Sequence, residues 1–174
     1  MSKVLASFGL VAASIALVAC GGAIEGASND NPAVGMNAAM VTYGQALGDY
    51  LAPPPDASPD QDFMDTNRAK LQRLRDSFDQ IVAESSDVEF PSVAIQNGQP
   101  AQSTINEFLS ATDAYITFEE ELLRRVDSCI SNGSATADCI STAVTSAMVG
   151  IYPDVIKRAQ AAALQLRQES SFSP

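Results

Sequence analysis

The sequence predicts an all-α protein, an antiparallel four-helix bundle, and three observations point there. Apolar residues recur at alternating spacings of three and four along four separate stretches of the chain. Proline and Asn-Gly clusters separate those stretches and act as helix stops. The roughly 155 residues that follow an N-terminal leader suffice for one compact domain with a real core, and not comfortably for two.

The leader comes first. Lys3 is the only charge before an apolar run from Val4 to Ala19, which ends in small residues ahead of Cys20. This is the layout of a secretory signal peptide. As a helix the run would be roughly 24 Å long, short of a hydrocarbon core about 30 Å thick, so residues 1–19 read as a segment that is removed. The quartet Leu17-Val18-Ala19-Cys20 resembles the lipobox of bacterial lipoproteins. The resemblance covers the leader alone. It implies that the Cys20 thiol takes a diacylglycerol, that residues 1–19 are cleaved and that the new amino group is acylated; several acyl chains hold a protein on a bilayer far better than one. It also implies a location in the cell envelope. Gly21, where an aspartate would resemble an inner-membrane retention signal, points to the outer membrane, with the domain facing the periplasm or the surface.

Residues 20–35 are small and polar, with Asn29-Asp30-Asn31-Pro32, and read as a flexible lipidated tether. The bundle is expected over 36–169, with 170–174 as a tail. Met36, Met40, Tyr43, Leu47 and Tyr50 mark one face of a first helix, which Pro53-Pro54-Pro55 stops. Ser58-Pro59-Asp60-Gln61 has the form of a capping box with proline at the first helical position. Met64, Asn67, Leu71, Leu74, Phe78 and Ile81 follow as the stripe of a second helix, with Arg75 and Asp79 spaced to pair on the opposite face.

From Ser85 to about Gln102 the period lapses, and Val88, Phe90, Val93 and Ile95 stand among Pro91, Asn97-Gly98 and Pro100. Such a segment is long for a bundle connection. It either caps one end of the core or serves as a lid or docking segment, with those four residues as the contacts to a partner or ligand.

A third helix is expected from about Thr104, with Thr104 and Glu107 placed as a capping box and Ile105, Phe108, Leu109, Thr112, Ile116, Leu123, Val126 and Ile130 on one face. Glu119-Glu120-Glu121 ahead of Arg124-Arg125 reads as a solvated, salt-bridged face. Asn132-Gly133-Ser134 marks a stop and a new start. The last stripe, Ile140, Val144, Ala147, Ile151, Val155, Ala159, Ala162 and Leu166, keeps phase across Pro153, which predicts one helix from about Ala135 to Gln168 kinked at the proline.

Cys129 and Cys139 form an even pair flanking that turn in an exported chain, and predict a structural disulfide. A redox or metal role would call for Cys-x-x-Cys spacing or a histidine, and the chain has neither.

Composition narrows the function. Without histidine, Ser-His-Asp and Cys-His catalysis are excluded, as are histidine-ligated zinc, haem and the Glu-x-x-His pairs of bundle di-iron sites. Phosphate-binding glycine loops, dinucleotide fingerprints and serine-nucleophile motifs are missing as well. The acids Asp56, Asp60, Asp62 and Asp65 fail as a calcium loop starting at Asp56, because Gln61 and Asn67 stand where glycine and glutamate are needed. No cofactor, metal site or catalytic set is expected. Loss of Lys3 with the leader leaves 9 basic against 21 acidic residues, net −12, which opposes nucleic acid and anionic head groups as partners. The expected function is that of a membrane-anchored, non-enzymatic interaction or structural module, with the membrane (through Cys20) and another envelope protein as partners. The alternative is a carrier for a small apolar ligand, a lipid or sterol, held between helices where Ala38, Ala39, Ala143, Ala147 and Ala159 leave room.

Overall fold

A computed structural model of the chain describes residues 32–52, 61–94 and 99–170. The described residues form five α-helices: α1 (Pro32–Leu51), α2 (Gln61–Ser86), α3 (Gln102–Ser131), α4 (Thr136–Val149) and α5 (Tyr152–Ser170). The leader, Cys20, the capping sequence at Ser58, Ile95 and the end of the tail at 171–174 lie outside the described residues. Helix α1 begins at Pro32, so the last four residues assigned to the tether are helical. Proline suits that place, since a first-turn N–H has no intrahelical partner to lose.

The stripes read from the first two helices turn inward. Met36, Tyr43 and Leu47 of α1 and Leu71, Leu74, Phe78 and Ile81 of α2 are buried in one core with Ile105, Phe108 and Ile116 of α3. Aromatic rings tie the three helices together: Tyr43 packs edge-on against Phe108 at 6.3 Å and tilted against Phe78 at 6.4 Å. Helix α5 closes the core with Ile156, Ala159, Ala162, Ala163 and Leu166. A smaller core, Met64, Val126, Cys139, Ile140 and Val144, sits where α4 meets α2 and α3.

The Cys129–Cys139 disulfide is present, with Cα atoms 5.6 Å apart. Between the cysteines the chain reverses at Gly133, whose φ of 88° lies in the left-handed region that glycine enters without a Cβ clash. Its N–H donates to the Ile130 carbonyl at 2.9 Å, which ends α3.

Four expectations are corrected. The last helix is two helices, bent by 68° at Gly150-Ile151. The expected stripe breaks there: Ile151 is 65 % exposed and Tyr152 is buried in its place, and beyond it Ile156 is buried while Val155 packs half-buried against the same core. Pro153 falls in the first turn of α5, where it interrupts no hydrogen bond of that helix, and the bend lies ahead of it at Gly150-Ile151. Thr104 and Glu107 form no capping box; the N-cap of α3 is Ala101, whose side chain offers no bond. Arg75 does not serve Asp79 along its own helix but reaches across to α3, where it pairs with Asp113 at 2.6 Å and Glu120 at 2.8 Å. Finally, the acidic triple on α3 splits. Glu121 holds Arg124 and Arg125, which lower its pKa to about 2. Glu120 holds Arg75, and Glu119 points into the core.

Candidate functional site

Glu119 is 2 % exposed, in the middle of the 30-residue helix α3. An isolated carboxylate in such a place would cost several kcal/mol. Its cost is offset by tyrosine hydroxyls. Tyr50, near the C-terminal end of α1, donates to Glu119 Oε2 at 2.9 Å. Tyr152, the first residue of α5, donates to Oε1 at 2.6 Å. Tyr115, one turn back on α3, is a third hydrogen-bond partner. The chain has four tyrosines, and three of them converge on this one carboxylate. The fourth, Tyr43, is buried and hydrogen-bonded to Thr112.

An ionised carboxylate accepts only, and its two oxygens offer about four lone-pair sites, so three hydroxyl donors suit it. Burial pushes the Glu119 pKa up, and the bonds from Tyr152, Tyr50 and Tyr115 act against that shift without cancelling it. Burial likewise holds the Tyr50 and Tyr115 hydroxyls well above their ordinary value of 10.0, and the neighbouring Glu119 charge adds to this. Phe118 stacks on the Tyr152 ring at 4.9 Å and covers one side of the cluster. Among the described residues no buried polar side-chain atom lacks a partner. The cluster is therefore satisfied internally, and what it accomplishes is to lock the end of α1 and the start of α5 onto α3.

A second carboxylate joins helix ends. Glu169, in the last turn of α5, accepts from the Ala101 N–H at 2.9 Å and from the Thr104 hydroxyl at 2.8 Å. It satisfies from another helix the N–H of the N-cap residue itself, the bond that the glutamate of a capping box makes. Burial raises its pKa, but the bonds from Thr104, Ala101 and Gln165 outweigh that, and the net shift is downward.

The four residues expected to meet a partner are dispersed. Val88 and Phe90 are half-buried against the main core. Val93 is 73 % exposed, and Ile95 lies outside the described residues. The Pro91 carbonyl accepts from Gln102 N–H at 2.8 Å, and Pro100 is fully buried, so the segment folds back onto the bundle on both sides of Val93. Of the small residues considered for a ligand groove, Ala39, Ala147 and Ala159 lie in the main core and let helices approach closely. A cavity of about 350 Å³ does open between α1 and α2, but Thr42, Gln45, Asp49, Lys70, Arg73 and Asp76 line it, and it opens to solvent. Among the described residues no group of three or more acids or cysteines is placed to hold a metal ion. Asp65 pairs with Arg68 instead.

No family model, curated protein or solved structure matches the chain.

Glu119 was legible in one respect. The α3 stripe steps from Ile116 to Leu123 with a gap of two helical turns, and Glu119 is the residue three positions on that fills it. Tyr50 lies on the α1 stripe at the same end. The pairing of α1 with α5 across α3 had no sequence signal, because contacts between distant segments leave no periodicity.

Proposed function

We propose that the chain is a lipid-anchored protein of the bacterial cell envelope, acting as a non-enzymatic structural or interaction module. The anchor is Cys20, in the outer membrane, and the module is a bundle of four long helices, α1, α2, α3 and α5, packed antiparallel, with α4 as a short fifth helix stapled to α3.

The observation that carries the non-enzymatic part is Glu119. It is the buried carboxylate of the described residues, the kind of group from which a catalytic acid or base is made, and its hydrogen bonds go to tyrosines, two of which, Tyr50 and Tyr152, come from other helices. Perturbed carboxyl groups in clefts suggest chemistry, whereas this one is sealed. The charged lining of the α1–α2 groove argues in the same direction, against an apolar ligand as cargo. A Cys129–Cys139 bridge fits an exported domain.

The test is the mass of the mature chain purified from bacterial membranes. A mass that starts at Cys20 and carries acyl groups, lost in Cys20→Ala, is the expected result. An unmodified chain still carrying residues 1–19 would overturn the anchor. For the module, photo-crosslinkers at exposed positions should trap the same envelope protein repeatedly, while native mass spectrometry of the chain should show no apolar mass that organic extraction removes.

A further inference from the structure

We infer that the corner between α4 and α5, formed by Met148, Val149 and Ile151, is a docking surface for a lipid bilayer. Val149 is 86 % exposed, Ile151 65 % and Met148 41 %, within four consecutive residues at a 68° bend. The other large exposed apolar residues described, Val41, Val82, Val93 and Leu164, are scattered singly. Scattered ones are ordinary surface; a cluster is not.

The corner also belongs to an uncharged stretch of the chain. No charged residue occurs from Cys139 to Pro153, and the exposed residues of α4 in that stretch, Ser141, Thr142, Thr145, Ser146, Met148 and Val149, are small, neutral or apolar. The chain as a whole has a net charge of −11. An acidic protein is repelled by an anionic membrane wherever its carboxylates face it, and the stretch from Cys139 to Pro153 brings none.

A second copy of the chain fits less well. Three side chains at a corner bury on the order of a few hundred Å², against the roughly 1,200 Å² or more of a stable protein interface. A bilayer needs no complementary shape. Among the described residues no single helix is long and apolar enough to cross a membrane; α4 and α5 reach that length and hydropathy only as a bent pair, and their apolar faces are buried in the two cores.

The corner and the proposed anchor can reach one bilayer, a geometry that rests on the lipid-anchor reading of Cys20, although the affinity of the corner itself does not. Tyr50 and Tyr152 meet at Glu119, so the corner is level with the C-terminal end of α1. The 20 residues of α1 set it roughly 30 Å from Pro32. The stretch from Cys20 to Pro32 reaches at most roughly 40 Å when extended, enough to cover that distance.

The experiment places an environment-sensitive fluorophore at Val149→Cys in the full chain carrying Cys20→Ser, with Gln72→Cys on α2 as the control position. Vesicles of phosphatidylethanolamine and phosphatidylglycerol are then added. Because the label reports its own surroundings, attachment through the leader alone leaves it unchanged. The expected result is a blue-shifted emission at position 149 and a severalfold loss of quenching by an aqueous quencher, neither seen at position 72. Adding Met148→Ser and Ile151→Ser should abolish both changes while leaving the circular dichroism and Tm intact, since both side chains are exposed. An unchanged, fully quenchable label at 149 would overturn the inference. So would shielding that appears without vesicles and grows with protein concentration, which would assign the corner to self-association. The acyl mass at Cys20 is read separately on the membrane-purified chain, so either conclusion can fail without the other.

Discussion

The Tyr152 hydroxyl donates to Glu119 Oε1 at 2.6 Å, and that bond closes a link between the first residue of α5 and the middle of α3. Tyr50 makes the matching link from α1. A charged hydrogen bond inside a core acts as a registration device: sliding either helix by one residue would strand a carboxylate without donors.

Removing one donor should therefore cost more than removing a surface bond. Tyr152→Phe keeps the ring and its stack on Phe118 while deleting the hydroxyl, and is expected to lower stability by about 1.5–3 kcal/mol, the range for bonds to charged groups. Urea unfolding of Tyr152→Phe, Tyr50→Phe and the double variant checks this. Strong non-additivity is expected, because all three hydroxyls share one carboxylate. A loss below about 0.5 kcal/mol for each single variant, as at an ordinary surface site, would show that the cluster is not a lock.

The same cluster sets a pH dependence with a definite sign. A carboxyl whose pKa is raised by folding holds its proton more tightly in the folded state than in the unfolded one. Glu119 therefore contributes most below the ordinary carboxyl range, and that contribution is lost as pH rises through its raised value. Glu119→Gln should flatten this limb of a stability-against-pH curve. Lowered carboxyls such as Glu107 and Glu169 act oppositely, and their contribution is lost as pH falls through their folded values.

At the alkaline end, Tyr50 and Tyr115 keep their protons well above 10.0 while the unfolded chain releases them. Stability should fall above that pH, and tyrosinate absorbance should appear together with the loss of helix. Gradual ionisation in a chain that remains fully helical would contradict the burial of these hydroxyls.

Glu169 makes a more local prediction. Glu169→Ala leaves the Ala101 N–H and the Thr104 hydroxyl without their partner, and should cost about 1–2 kcal/mol, as loss of a helix cap does. Hydrogen exchange should accelerate in the first turn of α3 and remain unchanged around Val126. Uniform acceleration along α3 would mean that the contact supports the whole bundle and not the helix end.

The disulfide closes a short loop, and breaking it by Cys129→Ser with Cys139→Ser should cost about 2–3 kcal/mol by loop-closure reasoning. Because Cys139 is 1 % exposed within the smaller core, the effect should concentrate on α4. Limited proteolysis of the reduced chain should cut within 132–150 first. Cleavage elsewhere at the same rate would show that the bridge does not hold α4 in place.

The stripes of α1 and α2 were legible because burial of one helix face imposes a 3.6-residue period on the sequence, and Leu71, Leu74, Phe78 and Ile81 obey it. The same logic misled at Ile151. Apolar residues in phase on either side of a break look like one stripe, yet Ile151 is exposed and Tyr152 is buried. Nothing in the local pattern distinguishes a helix kinked at Pro153 from two helices bent at Gly150. Glu119 was hidden for a different reason. The stripe gap between Ile116 and Leu123 places Glu119 inward, but an acidic triple ahead of two arginines reads as a solvated face, and only Tyr50, Tyr152 and Arg75 on other helices supply the partners of Glu119 and Glu120.

By itself, then, the sequence determined the helical class, the cysteine pairing, the inward faces of the first two helices and the lack of histidine-based chemistry. These are properties of residue type and of spacing within one segment. The tertiary structure alone decided which tyrosines satisfy Glu119, which helix holds the start of α3, where Arg75 pairs and that an uncharged apolar corner stands out at Gly150. Each of these depends on which distant segments come within a few ångströms of one another. Hydrogen bonds and ion pairs act over that range, and no periodicity within a single helix records it.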